Sequence, residues 1–163
     1  MHQDYKDLLC AFQSHGVKYL VVGGFAVIYH SQPRFTNDID LFIKVAPENA
    51  RAIYAALADF GVPLQGIRAE DFTDRNSYFR FGREPKGIDI LPAIPGVDFD
   101  KAWEGRVEDV IDPTTGLKAN FISAEDLIAS KLASGRARDL ADVEDIRNAV
   151  KSQWPTQKAK PRN

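Results

Sequence analysis

The sequence has little cysteine, no long apolar run and no large excess of charge of one sign. Its 163 residues include a single cysteine, Cys10, which excludes an intramolecular disulfide and a multi-cysteine metal site. The longest apolar stretch, residues 19–29, contains two glycines and is about half as long as a membrane span. The formal net charge of −2 provides no global attraction for nucleic acid or for an anionic membrane. A membrane protein is therefore not expected.

What is present is the composition of one globular domain. Hydrophobic residues make up 44% of the chain and charged residues 27%. The length suits one core of about 150 residues and is too short for two of typical size. The N-terminal segment Met-His-Gln-Asp-Tyr-Lys-Asp is charged, with no apolar secretion core behind it, so we expect a cytoplasmic location.

Hydrophobic periodicity predicts an α+β fold, with a small mixed β-sheet, helices on its covered face and a C-terminal helical unit. The predicted helices are residues 3–14, 25–30, 47–60, 124–134 and 139–150. The predicted strands are residues 18–22, 38–45, 77–82, 87–91, 106–111 and 117–122. We expect residues 1–122 to form the core and residues 123–150 to pack on it as helices. The basic segment 151–163 is expected to be a disordered tail.

Two chemical features coincide within residues 19–43. Gly23 and Gly24 lie between a predicted strand and a predicted helix, where missing side chains let a phosphate approach backbone N–H groups. Asp38 and Asp40 are two residues apart on the next strand, so their carboxylates project from the same face. Each feature alone has a simpler explanation: a Gly-Gly turn is usually a packing feature, and Asp-x-Asp is usually the solvent face of an edge strand.

A third acid, Asp89, lies inside the apolar strand of residues 88–91. A charged residue in a buried strand is costly unless it is paired or binds a metal ion. Three carboxylates on neighbouring strands offer hard oxygen ligands, which suit Mg²⁺ or Mn²⁺. Such a site matches the needs of phosphoryl or nucleotidyl transfer, in which metal ions activate the attacking hydroxyl and hold the leaving group.

These motifs resemble those of a known superfamily. The order Gly-Gly, thirteen residues, Asp-Ile-Asp and a later acid in an apolar strand is similar to the minimal nucleotidyltransferases of the DNA polymerase β superfamily. Lys131 and the Arg-Asp-x-x-Asp stretch of residues 138–142 resemble the C-terminal helices of its toxin–antitoxin-associated branch, the AbiEii-type and MNT-type proteins. The resemblance therefore implies a nucleotidyltransferase-like mixed sheet with flanking helices.

The resemblance also implies roles for individual residues. Asp38, Asp40 and Asp89 would be the catalytic carboxylates and would bind Mg²⁺ or Mn²⁺, with Asp89 placed to activate the acceptor hydroxyl. Six further residues would contact the nucleotide or its phosphates: Gly23, Gly24, Arg34, Thr36, Lys131 and Asp142.

Two further details concern the nucleotide site. Asp142 or Asp139 would orient either the lysine or the nucleotide. Many relatives carry Ser or Thr after the second glycine, whereas this chain has Phe25.

The implied activity is metal-dependent transfer of a nucleoside monophosphate from an NTP to a hydroxyl of a macromolecular acceptor, with release of pyrophosphate. A tRNA end or a protein side chain would be the acceptor, and a cognate toxin or antitoxin the partner, in a toxin–antitoxin or phage-defence system. Phe25 favours an alternative, a catalytically degenerate module that binds a partner protein. A metal-dependent phosphohydrolase is a third possibility.

Overall fold

The computed structural model describes residues 1–83 and 86–153. The α-helices in these ranges are Gln3–Ser14 (α1), Gly23–His30 (α2), Pro47–Phe60 (α3), Phe99–Glu104 (α4), Ala124–Ser134 (α5) and Ala137–Gln153 (α6). The strands are Tyr19–Val22 (β1), Ile39–Ile43 (β2), Phe79–Arg83 (β3), Lys86–Leu91 (β4), Val107–Asp112 (β5) and Leu117–Phe121 (β6). A short 3-10 helix, Ala69–Thr73, lies between α3 and β3.

The six strands form one mixed sheet in the order β3-β4-β2-β1-β6-β5. Strands β1 and β6 pair in parallel, as do β2 and β4. The other three neighbouring pairs are antiparallel. Two of these antiparallel pairs, β3–β4 and β5–β6, are hairpins of consecutive strands. The α+β prediction, with a mixed sheet and flanking helices, is confirmed.

Helices cover both faces of the sheet, so the expectation of one covered face was wrong. Ile39, Leu41 and Ile43 of β2 pack with α1 and α3 on one face. Phe42, on the opposite face of the same strand, packs with Ala26 of α2 and with residues of α4, α5 and α6. The physical reason is that the central strands are apolar on both sides, as is usual for strands with parallel neighbours.

Local signals explain where the helices begin and end. Helix α3 has Pro47 in its first turn and ends at Gly61, which adopts the left-handed conformation. Helix α5 is capped by Ser123, whose hydroxyl accepts a hydrogen bond from the backbone N–H of Asp126. Hydrophobic periodicity does not predict α4, because six residues are too few to show a helical period.

The C-terminal helices contact α2 and close the second face of the core. Helix α6 continues to Gln153, three residues into the segment expected to be a tail. The rest of that segment, residues 154–163, lies outside the described residues. Among the helices of the described ranges, we find none that is long and apolar enough to cross a membrane.

Candidate active site

The register of two parallel strands brings the three acids together. Asp40 of β2 lies directly opposite Asp89 of β4. Asp38 precedes β2 by one residue and lies on the same side as Asp40, because side chains alternate along a strand. All three face away from the α1 and α3 side of the sheet, where Ile39 is packed.

Burial and mutual repulsion disfavour full ionisation of this cluster. Burial raises the pKa of Asp40, and the neighbouring charge of Asp89 and a hydrogen bond to it raise it further, to about 7. Burial also raises the pKa of Asp89, although the nearby charge of Arg80 opposes that shift. Two carboxyls this close titrate as a pair and tend to retain one proton between them. The site therefore favours an added cation.

Arg80, which the sequence analysis did not assign to the site, lies among the acids. Its Nη2 donates to Asp38 Oδ2 at 3.0 Å, and its Nη1 lies 3.1 Å from Asp89 Oδ2. The signal that could have found it is the register of the β3–β4 hairpin, because Arg80 of β3 is directly opposite Asp89 of β4. Asp38 accepts a second hydrogen bond, from the backbone N–H of Gly87 at 2.9 Å.

The donor set suits a hard divalent ion, since three carboxylates converge on one face. With the side chains placed as they are, residues 1–83 and 86–153 hold no group of three Asp, Glu, His or Cys that could bind a metal ion. The guanidinium of Arg80 lies between Asp38 and Asp89. A metal ion at these carboxylates therefore requires the side chains to rearrange.

The two glycines lie against this cluster and cannot carry side chains. Gly23 has a φ of +64°, and a Cβ there would be 2.0 Å from Asp40 Oδ2. A Cβ on Gly24 would be 2.5 Å from the hydroxyl oxygen of Thr36. Helix α2 begins at Gly23, and no side chain caps its first turn. The positive end of the helix dipole is thus next to the carboxylates and open to backbone contact with an anion.

Phe25 fills a packing role at the start of α2. Its ring packs edge-on against Tyr5 of α1, with centroids 5.7 Å apart. The Tyr5 hydroxyl donates to the backbone carbonyls of Asn37 and Gly87, which flank the acidic cluster in the fold. Thr36 places a hydroxyl beside Gly24 instead. A hydroxyl therefore lies at the glycine turn although residue 25 has none.

The second group of predicted residues forms a buried charge network on α5 and α6. Lys131 Nζ lies 2.8 Å from Asp142 and 3.5 Å from Asp139. Arg34, from the loop before β2, also pairs with Asp142, and Arg136 Nε donates to Asp139 at 2.7 Å. Both aspartates are almost fully buried. Asp142 therefore holds the lysine and Arg34 in place.

Asp139 shows how strongly this network favours its ionised form. Burial acts to raise the pKa of Asp139, but hydrogen bonds from Arg136 and Ser134 and the charge of Lys131 outweigh it. The result is a pKa of about 2. The network has three cations and two carboxylates, so it retains a net positive charge.

Two cavities adjoin these groups. The smaller, about 210 Å³, is lined by Gly23 and Asp40 and also by Lys131 and Arg136. It thus joins the carboxylate cluster to the cationic network. The larger, about 560 Å³, lies beside the loop that carries Thr36. Its lining includes five aromatic residues, which are Tyr5, Phe25, Tyr29, Phe35 and Phe121.

Among solved structures, the chain is similar to the crystal structure of the lincosamide antibiotic adenylyltransferase LnuA in its lincomycin-bound form. The identity is 17%, the TM-score is 0.54, and the match covers 91% of this chain and 98% of LnuA. At this identity the likeness shows a shared fold, and the expected nucleotidyltransferase-like fold is confirmed. No curated protein matches by sequence. The branch of AbiEii-type and MNT-type proteins stays a prediction.

A family model gives more direct evidence than the structural likeness, because it matches residues 3–156 and so nearly the whole chain. The family, DUF6036, is described as nucleotidyltransferases of unknown function. The chain belongs to this family of nucleotidyltransferases.

Proposed function

We propose that this protein transfers a nucleoside monophosphate from an NTP to a hydroxyl group, using a divalent metal ion held by Asp38, Asp40 and Asp89. The observation that carries the proposal is the convergence of these carboxylates beside Gly23 at the start of α2. Nucleotidyltransferases generally use divalent metal ions, and hard carboxylate oxygens favour Mg²⁺ or Mn²⁺ over softer metals. A metal ion bound there supplies positive charge next to the reacting phosphate.

The carboxylates and the glycine turn have different roles in the reaction. Asp89, which lies opposite Asp40 in the sheet, takes the proton of the acceptor hydroxyl. The hydroxyl oxygen bonds to the α-phosphorus while the bond from that phosphorus to pyrophosphate breaks. Backbone N–H groups at Gly23 and Gly24 hold the triphosphate at the positive end of α2.

The cationic network supports the same nucleotide from the opposite side. Lys131 lines the cavity that also contains Gly23 and Asp40, and it binds a phosphate there as a point charge. Asp142 positions this lysine and Arg34, since it is paired with both of them. The Thr36 hydroxyl, beside Gly24, is a further phosphate donor.

The acceptor has two candidates. The resemblance to the toxin-associated branch favours a macromolecule, a tRNA end or a protein side chain, with a cognate toxin or antitoxin as partner. The cavity of about 560 Å³, with five aromatic residues in its lining, favours a small organic molecule, because ligand pockets of about 300–1,000 Å³ with mainly apolar walls suit such compounds. The antibiotic bound to the structurally similar LnuA is a compound of this kind.

The test is transfer of an α-phosphate label. The protein is incubated with each α-labelled NTP, Mg²⁺ or Mn²⁺ and a cell extract, starting with ATP because LnuA is an adenylyltransferase. We expect label on an acceptor and release of pyrophosphate, both lost in Asp40→Asn. Asp145→Asn, the same substitution at an exposed aspartate of α6, keeps the activity. Nuclease, protease and chromatography then separate RNA, protein and small-molecule products.

The alternatives give different results in the same assay. A phosphohydrolase consumes the NTP without labelling any acceptor. A partner-binding module shows no metal-dependent NTP affinity by calorimetry. An absence of label with every NTP and both metals contradicts the proposal.

A further inference from the structure

Arg80 was not predicted from the sequence, yet it contacts two of the three acids of the carboxylate cluster. Its Nη1 donates to both oxygens of Asp89, at 3.3 Å and 3.1 Å, and its Nη2 donates to Asp38 at 3.0 Å. One planar guanidinium thus bridges two of the three acids. Such charge-assisted, two-pronged contacts are the strong form of a hydrogen bond.

The pairing of β3 with β4 and the glycine at position 87 make room for this bridge. Arg80 is opposite Asp89 in the β3–β4 register, which points both side chains to one face. A Cβ on Gly87 would lie 2.7 Å from Arg80 Nη2 and 2.9 Å from Asp38 Oδ1. The absence of a side chain at Gly87 therefore leaves the space in which the guanidinium and the carboxylate meet. The Gly87 N–H occupies the second oxygen of Asp38.

We propose that Arg80 and a divalent metal ion compete for the oxygens of Asp38 and Asp89, so that Arg80 must release at least one acid before the ion can bind. This inference rests on the proposed function, which assigns these acids to the metal. A ligand oxygen lies about 2.0–2.1 Å from Mg²⁺, whereas the Arg80 nitrogens already lie about 3 Å from three of the same oxygens.

Arg80 is suited to this exchange. Its guanidinium stays charged at every relevant pH, so it neutralises the acids without needing a proton. Its side chain is 39% exposed, which gives it a path to solvent when it leaves. Wild-type protein therefore binds a free metal ion more weakly than the three acids alone would.

The experiment measures Mn²⁺ affinity of the full chain without nucleotide, from the electron paramagnetic resonance signal of free Mn²⁺. The variants are Arg80→Gln, Arg80→Lys and, as a matched control, Lys86→Gln. Lys86 lies on the same hairpin and pairs with Asp4, so its removal takes away a nearby positive charge without breaking the bridge.

We expect Arg80→Gln to bind Mn²⁺ about tenfold or more tightly than wild type, and Lys86→Gln to differ by about twofold or less, because exposed charges are well screened. Arg80→Lys falls between them, since lysine keeps the charge but cannot bridge two acids as a planar fork. Thermal unfolding checks the fold. In EDTA, Arg80→Gln melts below wild type, and saturating Mn²⁺ raises its Tm by more than it raises that of wild type.

Two results overturn the inference. If Arg80→Gln binds Mn²⁺ no more tightly than Lys86→Gln, Arg80 does not compete with the metal ion. The proposed function survives that result as long as wild type binds Mn²⁺. If neither wild type nor Arg80→Gln binds Mn²⁺, the metal role of the three acids fails as well.

Discussion

Gly23→Ala tests two reasons for glycine at this position, the positive φ of its backbone and the closeness of the Asp40 carboxylate. Alanine at a φ of +64° costs about 1–2 kcal/mol. The new Cβ would also lie 2.0 Å from Asp40 Oδ2, so the carboxylate must retreat by roughly 1.4 Å to reach ordinary contact at 3.4 Å. Forced displacement in a packed region costs about 1–3 kcal/mol more. We expect the free energy of unfolding to fall by about 2–5 kcal/mol.

Gly16→Ala is the matched control for this prediction. Gly16 has nearly the same φ, +66°, but no atom lies within 4 Å of the position its Cβ would take. Gly16→Ala should lower the free energy of unfolding, measured in urea, by the backbone cost alone, about 1–2 kcal/mol. Gly23→Ala should also weaken Mn²⁺ binding, because it moves Asp40, whereas Gly16→Ala should not. Equal losses of stability and unchanged Mn²⁺ affinity in both variants would refute the reasoning.

Three other predictions concern the groups around the site, each measured by urea unfolding. Asp142→Asn should cost about 2–4 kcal/mol because it leaves two cations without their buried carboxylate, while Asp145→Asn, exposed on the same helix, should change stability by about 0.5 kcal/mol or less. Equal losses would contradict the buried network. Because the pKa of Asp139 is about 2 in the folded protein, below the ordinary 3.8, its contribution to stability is present above about pH 4 and is lost as the pH falls towards 2. The free energy of unfolding of Asp139→Asn should therefore depend less on pH in this window than that of wild type. Parallel curves of unfolding free energy against pH for the two proteins would contradict this prediction. Tyr5→Phe should cost about 1 kcal/mol through the loss of two carbonyl contacts, whereas Tyr78→Phe, 70% exposed, should be near neutral.

Much of the fold is predictable from local patterns. The spacing of Asp38 and Asp40 places both on one face of a strand, and the single acid in the apolar run around Asp89 marks a second strand of the same kind. Pro47 and Gly61 mark the two ends of α3 to the residue. These predictions succeeded because each depends on residues that are close together in sequence.

The parts that could not be predicted depend on long-range packing. The bridge from Arg80 requires the β3–β4 register and the position of Asp38, 42 residues away in sequence. The burial of Asp139 and Asp142 depends on how α6 packs on the core, and charged residues at helical spacing are equally typical of a solvated surface. The second covered face of the sheet follows from tertiary packing in the same way.

The most direct test of the account is a crystal structure of the protein with Mn²⁺ and a non-hydrolysable ATP analogue, measured at a wavelength where manganese scatters anomalously. The account predicts an anomalous peak within coordination distance of Asp38, Asp40 and Asp89, with Arg80 moved away from at least one of them and the triphosphate against Gly23. A Mn²⁺ peak elsewhere, or Arg80 still bridging Asp38 and Asp89 beside a bound nucleotide, would contradict it.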